Sequence, residues 1–188
     1  VGLRLESAAV EGYLPADIVA RIEALRLSDE FSNVNLRGYQ SFGARFALVQ
    51  RRVILGDEMG LGKTIQALAG VAHLRAQGAA MVLVVCPASV IINWLREVRR
   101  HTRLEEFRLH GEDRDEALAA WLTRGGVAVT TYETAGALGL PADLRLSCLV
   151  VDEAHFVKNP DAKRSRLVGA LGERADHVRH PVEGGVQG

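Results

Sequence analysis

The sequence predicts an α/β chain, a mostly parallel β-sheet with helices on both faces. Three observations carry that expectation. Short, almost continuously apolar runs recur at Val53-Ile54-Leu55, Met81 to Cys86, Val127 to Thr131 and Leu146 to Val151, the pattern of strands buried on both faces. Segments with helical periodicity separate them, as right-handed crossovers between parallel strands require. The first run enters a Gly-rich turn and the last ends on Asp152-Glu153, so both would open on the carboxyl edge of the sheet, where such folds bind ligands.

The elements follow in order. Residues 15–27 place Ile18, Ile22 and Leu25 at helical spacing, with Pro15 suited to a first turn. Ser28 to Asn35 is polar and reads as a linker, so residues 1–35 form a helical arm and linker ahead of the main domain, 36–175. A helix near 40–50 precedes a strand at 52–55, and a helix from about Lys63 to Gln77 closes at Gly78. The strand Met81–Cys86 stops at Pro87, and a helix near 89–101 sets Val90, Trp94 and Val98 on one face, which makes Trp94 a core residue. Phe107-Arg108-Leu109 is a short strand, 113–123 a helix, and Gly125-Gly126 turns into the strand 127–131. The acidic strand and a helix over 161–171 complete the domain. From 176 to 188 no apolar period is present, and an irregular tail is expected.

Residues 57–64 read Asp-Glu-Met-Gly-Leu-Gly-Lys-Thr. A strand, a Gly-rich turn and a helix in succession form a cradle for a nucleoside triphosphate. Gly60 and Gly62 allow close backbone approach, Lys63 can reach the β- and γ-phosphates, and the Thr64 hydroxyl can ligate magnesium. The following helix presents its positive end to the anion. The general pattern has glycine where this chain has Asp57. At the far strand, Asp152 is suited to hold the metal and Glu153 to orient and deprotonate an attacking water. Each feature is common alone; the two in this order define a nucleotide-hydrolysing core.

Bulk properties narrow the class. The 188 residues suffice for one core and a short arm, and 48 % hydrophobic with 24 % charged residues is a globular composition. No segment approaches the roughly 18 unbroken apolar residues of a membrane span, and the first residues show no basic-then-apolar leader. Cys86 and Cys148 each sit in an apolar run and read as buried thiols. Net charge is zero, so electrostatics alone give no sign of nucleic-acid binding. Met59 reads as turn packing, and His101 and His110 as surface residues.

Five blocks together resemble the Swi/Snf-type ATPases, a branch of the superfamily-two helicases. Leu36-Arg37-Gly38-Tyr39-Gln40 is similar to that family's adenine-reading segment, with Gly38 where the family has proline. Asp57 through Gln66 matches its phosphate loop, including the Asp in place of the first glycine. Cys86-Pro87-Ala88-Ser89 with Asn93, Trp94 and Glu97, Val129 to Glu133, and Asp152 to His155 with Lys158-Asn159 supply the rest, so the resemblance covers about 36–175. It implies a RecA-like P-loop NTPase lobe that uses ATP and magnesium. Nucleotide would be held by Arg37, Gln40, Asp57, Gly60, Leu61, Gly62, Lys63 and Thr64, with Lys63 and Glu153 catalytic and Thr64 and Asp152 on the metal. Pro87, Ser89, Thr130 and Thr131 would meet the backbone of double-stranded DNA, largely independent of sequence. His155 would couple this lobe to a second one.

The resemblance also sets expectations about extent. The family's Ser/Thr-Gly-Thr-Pro block would lie about twenty residues beyond Lys158-Asn159, where this chain has Val178-Arg179-His180-Pro181-Val182. One choice of codons for those five residues reads, one base out of frame, as Ser-Gly-Thr-Pro-Leu. The expectation is therefore a first lobe cut short, its tail translated out of frame, with a second RecA-like lobe absent and little hydrolysis by the lobe alone. Two other readings stay open: a DEAH-type strand-separating helicase lobe, and a non-catalytic nucleotide-binding module. Richness in Ala, Arg and Gly points to a GC-rich genome and a bacterial cytoplasm, associated with the nucleoid; no membrane partner is expected.

Overall fold

The computed structural model describes residues 14–50, 52–57, 62–152 and 163–183, the last six of these and 52–57 as backbone only. Its elements run α1 (Ala16–Ala24), α2 (Gly38–Gln50), β1 (Arg52–Asp57), α3 (Lys63–Ala76), β2 (Met81–Cys86), a 3₁₀ turn (Ala88–Val90), α4 (Ile91–His101), β3 (Glu106–Arg108), α5 (Arg114–Arg124), β4 (Gly126–Thr131), α6 (Tyr132–Ala135), β5 (Leu146–Val151), α7 (Lys163–Glu173) and β6 (Ala175–Glu183). The six strands form one sheet in the order β1-β6-β5-β2-β4-β3, every neighbouring pair parallel.

The apolar runs behave as two-faced strands. Along β2, Val82, Val84 and Cys86 face a layer made by α3 and α4, where Leu68, Val71, Trp94 and Val98 are buried. Leu83 and Val85 face the other way, against Trp121 of α5, Tyr132 of α6 and Leu171 of α7. Period-two alternation within an all-apolar strand thus feeds two cores at once. Helix α4 shows the complementary pattern, burying Ile91, Trp94, Leu95 and Val98 and carrying Arg99 and Arg100 in its last turn, cations suited to the negative end of a helix.

Residues 14–35 are more closely attached than a linker would be. Ile22 is fully buried against Phe42, with Ile18, Phe46 and Val49 packed around them. Beyond α1 the segment crosses the α3–α4 face. Ser28 N–H donates to Nδ1 of His73, Arg75 lies over the Phe31 ring, and Ser32 forms an isolated antiparallel bridge with Thr102.

The larger correction concerns the tail. Residues 175–183, expected to be irregular from 176, form β6 and lie between β1 and β5, with Arg52 opposite Val178 and Cys148 opposite His177. The sheet therefore continues past the expected boundary at 175. Pro181, which has no N–H for a ladder bond, lies opposite Leu55 of β1; Val178 and Arg179 are paired with β1 and β5 at once, and that pairing overrides the missing alternation. Among the described residues no helix is long and apolar enough to cross a membrane.

Candidate nucleotide site at the carboxyl edge of the sheet

Parallel pairing brings the ends of β1, β5, β2 and β4 to one edge, so Asp57, Asp152, Pro87 and Tyr132 follow one another along it in that order. One strand separates β1 from β5, which sets their ends roughly 10 Å apart. That spacing suits a phosphate chain bound at one end and its metal at the other.

Gly62 forms the N-cap of α3 with φ +77°, in the left-handed region. A side chain there would be strained by its own backbone. It would also collide: a Cβ on Gly62 would lie 2.5 Å from Nε2 of Gln40. Gln40, 8 % exposed, is fixed at its other end, where Oε1 accepts the Arg37 N–H at 3.0 Å. The amide expected to read adenine is therefore packed against the last glycine of the phosphate loop, from a helix more than twenty residues earlier. Lys63 and Thr64, both half-buried, occupy the first turn of α3, which carries no acidic residue to compete with an anion.

Asp152 is held at three atoms. Its N–H donates to the Val85 carbonyl (2.9 Å), its carbonyl accepts the Tyr132 hydroxyl (2.5 Å), and its Oδ2 accepts the Trp94 indole N–H (2.7 Å). The neighbouring Cys86 thiol is pushed up to about 12, chiefly by burial and further by the Asp152 charge. Trp94 is core, as expected from its helical spacing, at 1 % exposure. Its contact with the acidic residue was missed, because spacing along one helix carries no information about a strand 58 residues away.

A magnesium ion fits this donor set. One hydroxyl (Thr64) and one carboxylate (Asp152) are too few to hold it alone, and no cluster of three His, Cys, Asp or Glu is present among the described residues. Magnesium is ordinarily held by one or two protein oxygens with phosphate and water completing its shell.

The other site residues divide. Ser89 is exposed and Pro87 half-buried on the turn after β2. Thr130 and Thr131, expected to offer hydroxyls to DNA, are 0 % and 1 % exposed. Thr130 donates to the Leu109 carbonyl, and Thr131 bonds the Thr134 hydroxyl while accepting the Thr134 N–H as the cap of α6. Their hydroxyls are turned inward, a correction to that expectation. His101 and His110 are not simply surface either: each is half-buried, one against Glu97 and the other against the Thr134 hydroxyl. Met59, Gly60, Leu61, Glu153, His155, Lys158, Asn159 and the Asp57 side chain lie outside the described residues.

A parallel sheet carrying a phosphate loop on one strand and an acidic residue on another defines a RecA-like ATPase lobe. Residues 39–176 match the model of the SNF2-related domain, and the chain belongs to that family. It is 34 % identical over 171 residues to the mouse DNA excision repair protein ERCC-6-like 2, which covers 74 % of this chain and 11 % of the mouse protein. It is 35 % identical over 158 residues to the Xenopus tropicalis SWI/SNF-related matrix-associated actin-dependent regulator of chromatin subfamily A containing DEAD/H box 1, covering 76 % and 16 %. Among solved structures, the Sulfolobus solfataricus SWI2/SNF2 ATPase core in complex with dsDNA superposes with a TM-score of 0.73 at 27 % identity, over 86 % of this chain and 35 % of that one. The chain thus spans about a third or less of each of these proteins.

Proposed function

We propose that this chain binds ATP with magnesium as the first lobe of a double-stranded DNA translocase. The observation that carries the reading is the joint placement of Gln40 against Gly62, of Lys63 and Thr64 at the α3 N-terminus, and of Asp152 on the same sheet edge. Gln40 would meet the adenine edge, and Arg37 lies beside it. Lys63 would neutralise the β- and γ-phosphates, aided by loop amides from Asp57, Gly60, Leu61 and Gly62. Thr64 and Asp152 would hold the metal, whose role when bound is to offset charge on the transferring phosphoryl group. Glu153 follows Asp152 directly and would orient the attacking water and accept its proton.

Hydrolysis is proposed to need a second RecA-like lobe that contributes an arginine, an effect worth about 10³ to 10⁵ in rate in phosphoryl-transfer enzymes. His155 would act in that coupling. DNA is proposed to lie along the turn at Pro87 and Ser89, whose exposure suits backbone contact. At the ends of β4 the peptide groups, not the inward-turned hydroxyls of Thr130 and Thr131, would take part. The bound-DNA state of the Sulfolobus core supports a duplex partner.

The test is nucleotide binding with and without magnesium, followed by ATPase rate with and without duplex. Magnesium-dependent ATP binding lost in Lys63→Ala, with a rate near background, is expected. Absence of such binding in the wild type sinks the reading. A fast duplex-stimulated rate abolished by Glu153→Gln removes the need for a second lobe, and strand separation by a two-lobed relative favours a helicase instead.

A further inference from the structure

Asp152 holds a metal only if the site binds ATP with magnesium, and any role its neighbours have toward that metal rests on the same reading. A carboxylate at a strand end rotates freely about its last torsion unless an oxygen is held. Here Oδ2 accepts the Trp94 indole N–H at 2.7 Å, a bond to an ionised acceptor and so stronger than a neutral one. Holding one oxygen fixes where the other points. The residue's backbone is pinned as well, its N–H on the Val85 carbonyl and its carbonyl on the Tyr132 hydroxyl. Both side-chain partners are packed in place: Trp94 is 1 % exposed within the α4 core layer, and Tyr132 is buried in the opposite layer with Arg164 over its ring.

We propose that Trp94 and Tyr132 are positioning residues for the metal: Trp94 orients the Asp152 carboxylate, and Tyr132 fixes the backbone that carries it. A buried indole N–H needs an acceptor in any fold, so the bland alternative is that Asp152 merely satisfies Trp94. The two accounts differ in what removing the donor does. If Asp152 only serves Trp94, replacing Trp94 changes stability and leaves metal-dependent binding alone. If Trp94 serves Asp152, metal-dependent binding falls selectively.

The experiment measures ATP affinity of the full chain with magnesium and with EDTA, and takes the ratio. Trp94→Phe keeps an aromatic ring and removes the donor. It is expected to cut the magnesium advantage about tenfold, the lower end of what partners of metal ligands contribute, while affinity in EDTA changes less than about twofold. Asp152→Asn abolishes the advantage, and adding Trp94→Phe to it changes nothing more. Tyr132→Phe removes one oxygen atom, so it tests the same idea if the tryptophan variant does not fold; it is expected to lower the ratio by a smaller factor. An unchanged ratio, equal losses in magnesium and EDTA, or additive losses in the double variant overturn the proposal. A wild type with no magnesium advantage overturns the ATP reading and this proposal with it; a wild type with that advantage and an unaffected Trp94→Phe overturns this proposal only.

Discussion

Replacing Gly62 with alanine should damage the site by two routes that can be separated. The backbone there has φ +77°, a conformation that costs an L-residue with a Cβ about 1–2 kcal/mol. The added methyl would also stand 2.5 Å from Nε2 of Gln40, closer than atoms tolerate, so the Gln40 side chain must move. Moving it sacrifices the bond from the Arg37 N–H to Oε1, worth about 0.5–1.5 kcal/mol. The clash is with the end of a flexible side chain, so the whole lobe should not unfold. Urea denaturation of Gly62→Ala is therefore expected to show a loss of about 1.5–3.5 kcal/mol, and titration with ATP a larger loss of affinity, because the amide has left its place. In a Gln40→Ala background the steric part is already relieved. There Gly62→Ala should cost only the backbone part, about 1–2 kcal/mol. Equal costs in the two backgrounds would refute the claim that Gln40 and Gly62 are in contact.

Other outcomes follow from burial and topology. His73 is buried, which lowers its pKa, and its Nδ1 accepts the Ser28 N–H. The unfolded chain therefore takes up a proton that the folded chain resists, and stability should fall as pH drops below about 6.5; His73→Gln should flatten that slope in acid denaturation curves. Cys86, held at about 12 by burial first and by Asp152 second, should resist alkylation in the native state at pH 8 and react only on unfolding. Its thiol stays protonated in the fold while the unfolded one ionises. Its contribution is thus complete below about pH 9 and declines toward pH 12, by up to about 1.4 kcal/mol per pH unit. Deleting residues 175–188 removes β6, the partner that joins β1 to β5, and should abolish cooperative unfolding measured by circular dichroism.

Much of the molecule was legible before its structure. The runs Met81–Cys86 and Leu146–Val151 coincide with β2 and β5, because a strand buried on both faces must be apolar along its length. Helix α3 starts at Lys63 as the loop pattern demands. The candidate phosphate loop and acidic pair stood out in sequence because each is a local arrangement of neighbouring residues, although residues 58–61 and Glu153 lie outside the described residues. The short helix α6 went unforeseen: it is four residues long and is set by the Thr131 cap, a bond that no periodicity signals.

By itself the sequence determined the fold class, the family, and which residues are candidates for phosphate contact, since hydrophobic period and loop spacing are properties of adjacent positions. Only the tertiary structure decided what those residues touch. It set Trp94 on Asp152 and Gln40 on Gly62, contacts between residues distant in the chain that arise from strand order and helix packing. It turned the Thr130 and Thr131 hydroxyls inward, because the neighbouring loop and α6 supply acceptors that solvent would otherwise provide. It drew residues with no strand pattern into β6, because a gap between two parallel strands leaves backbone donors and acceptors on both sides, and satisfying them outweighs the weak local preference of the segment that fills it.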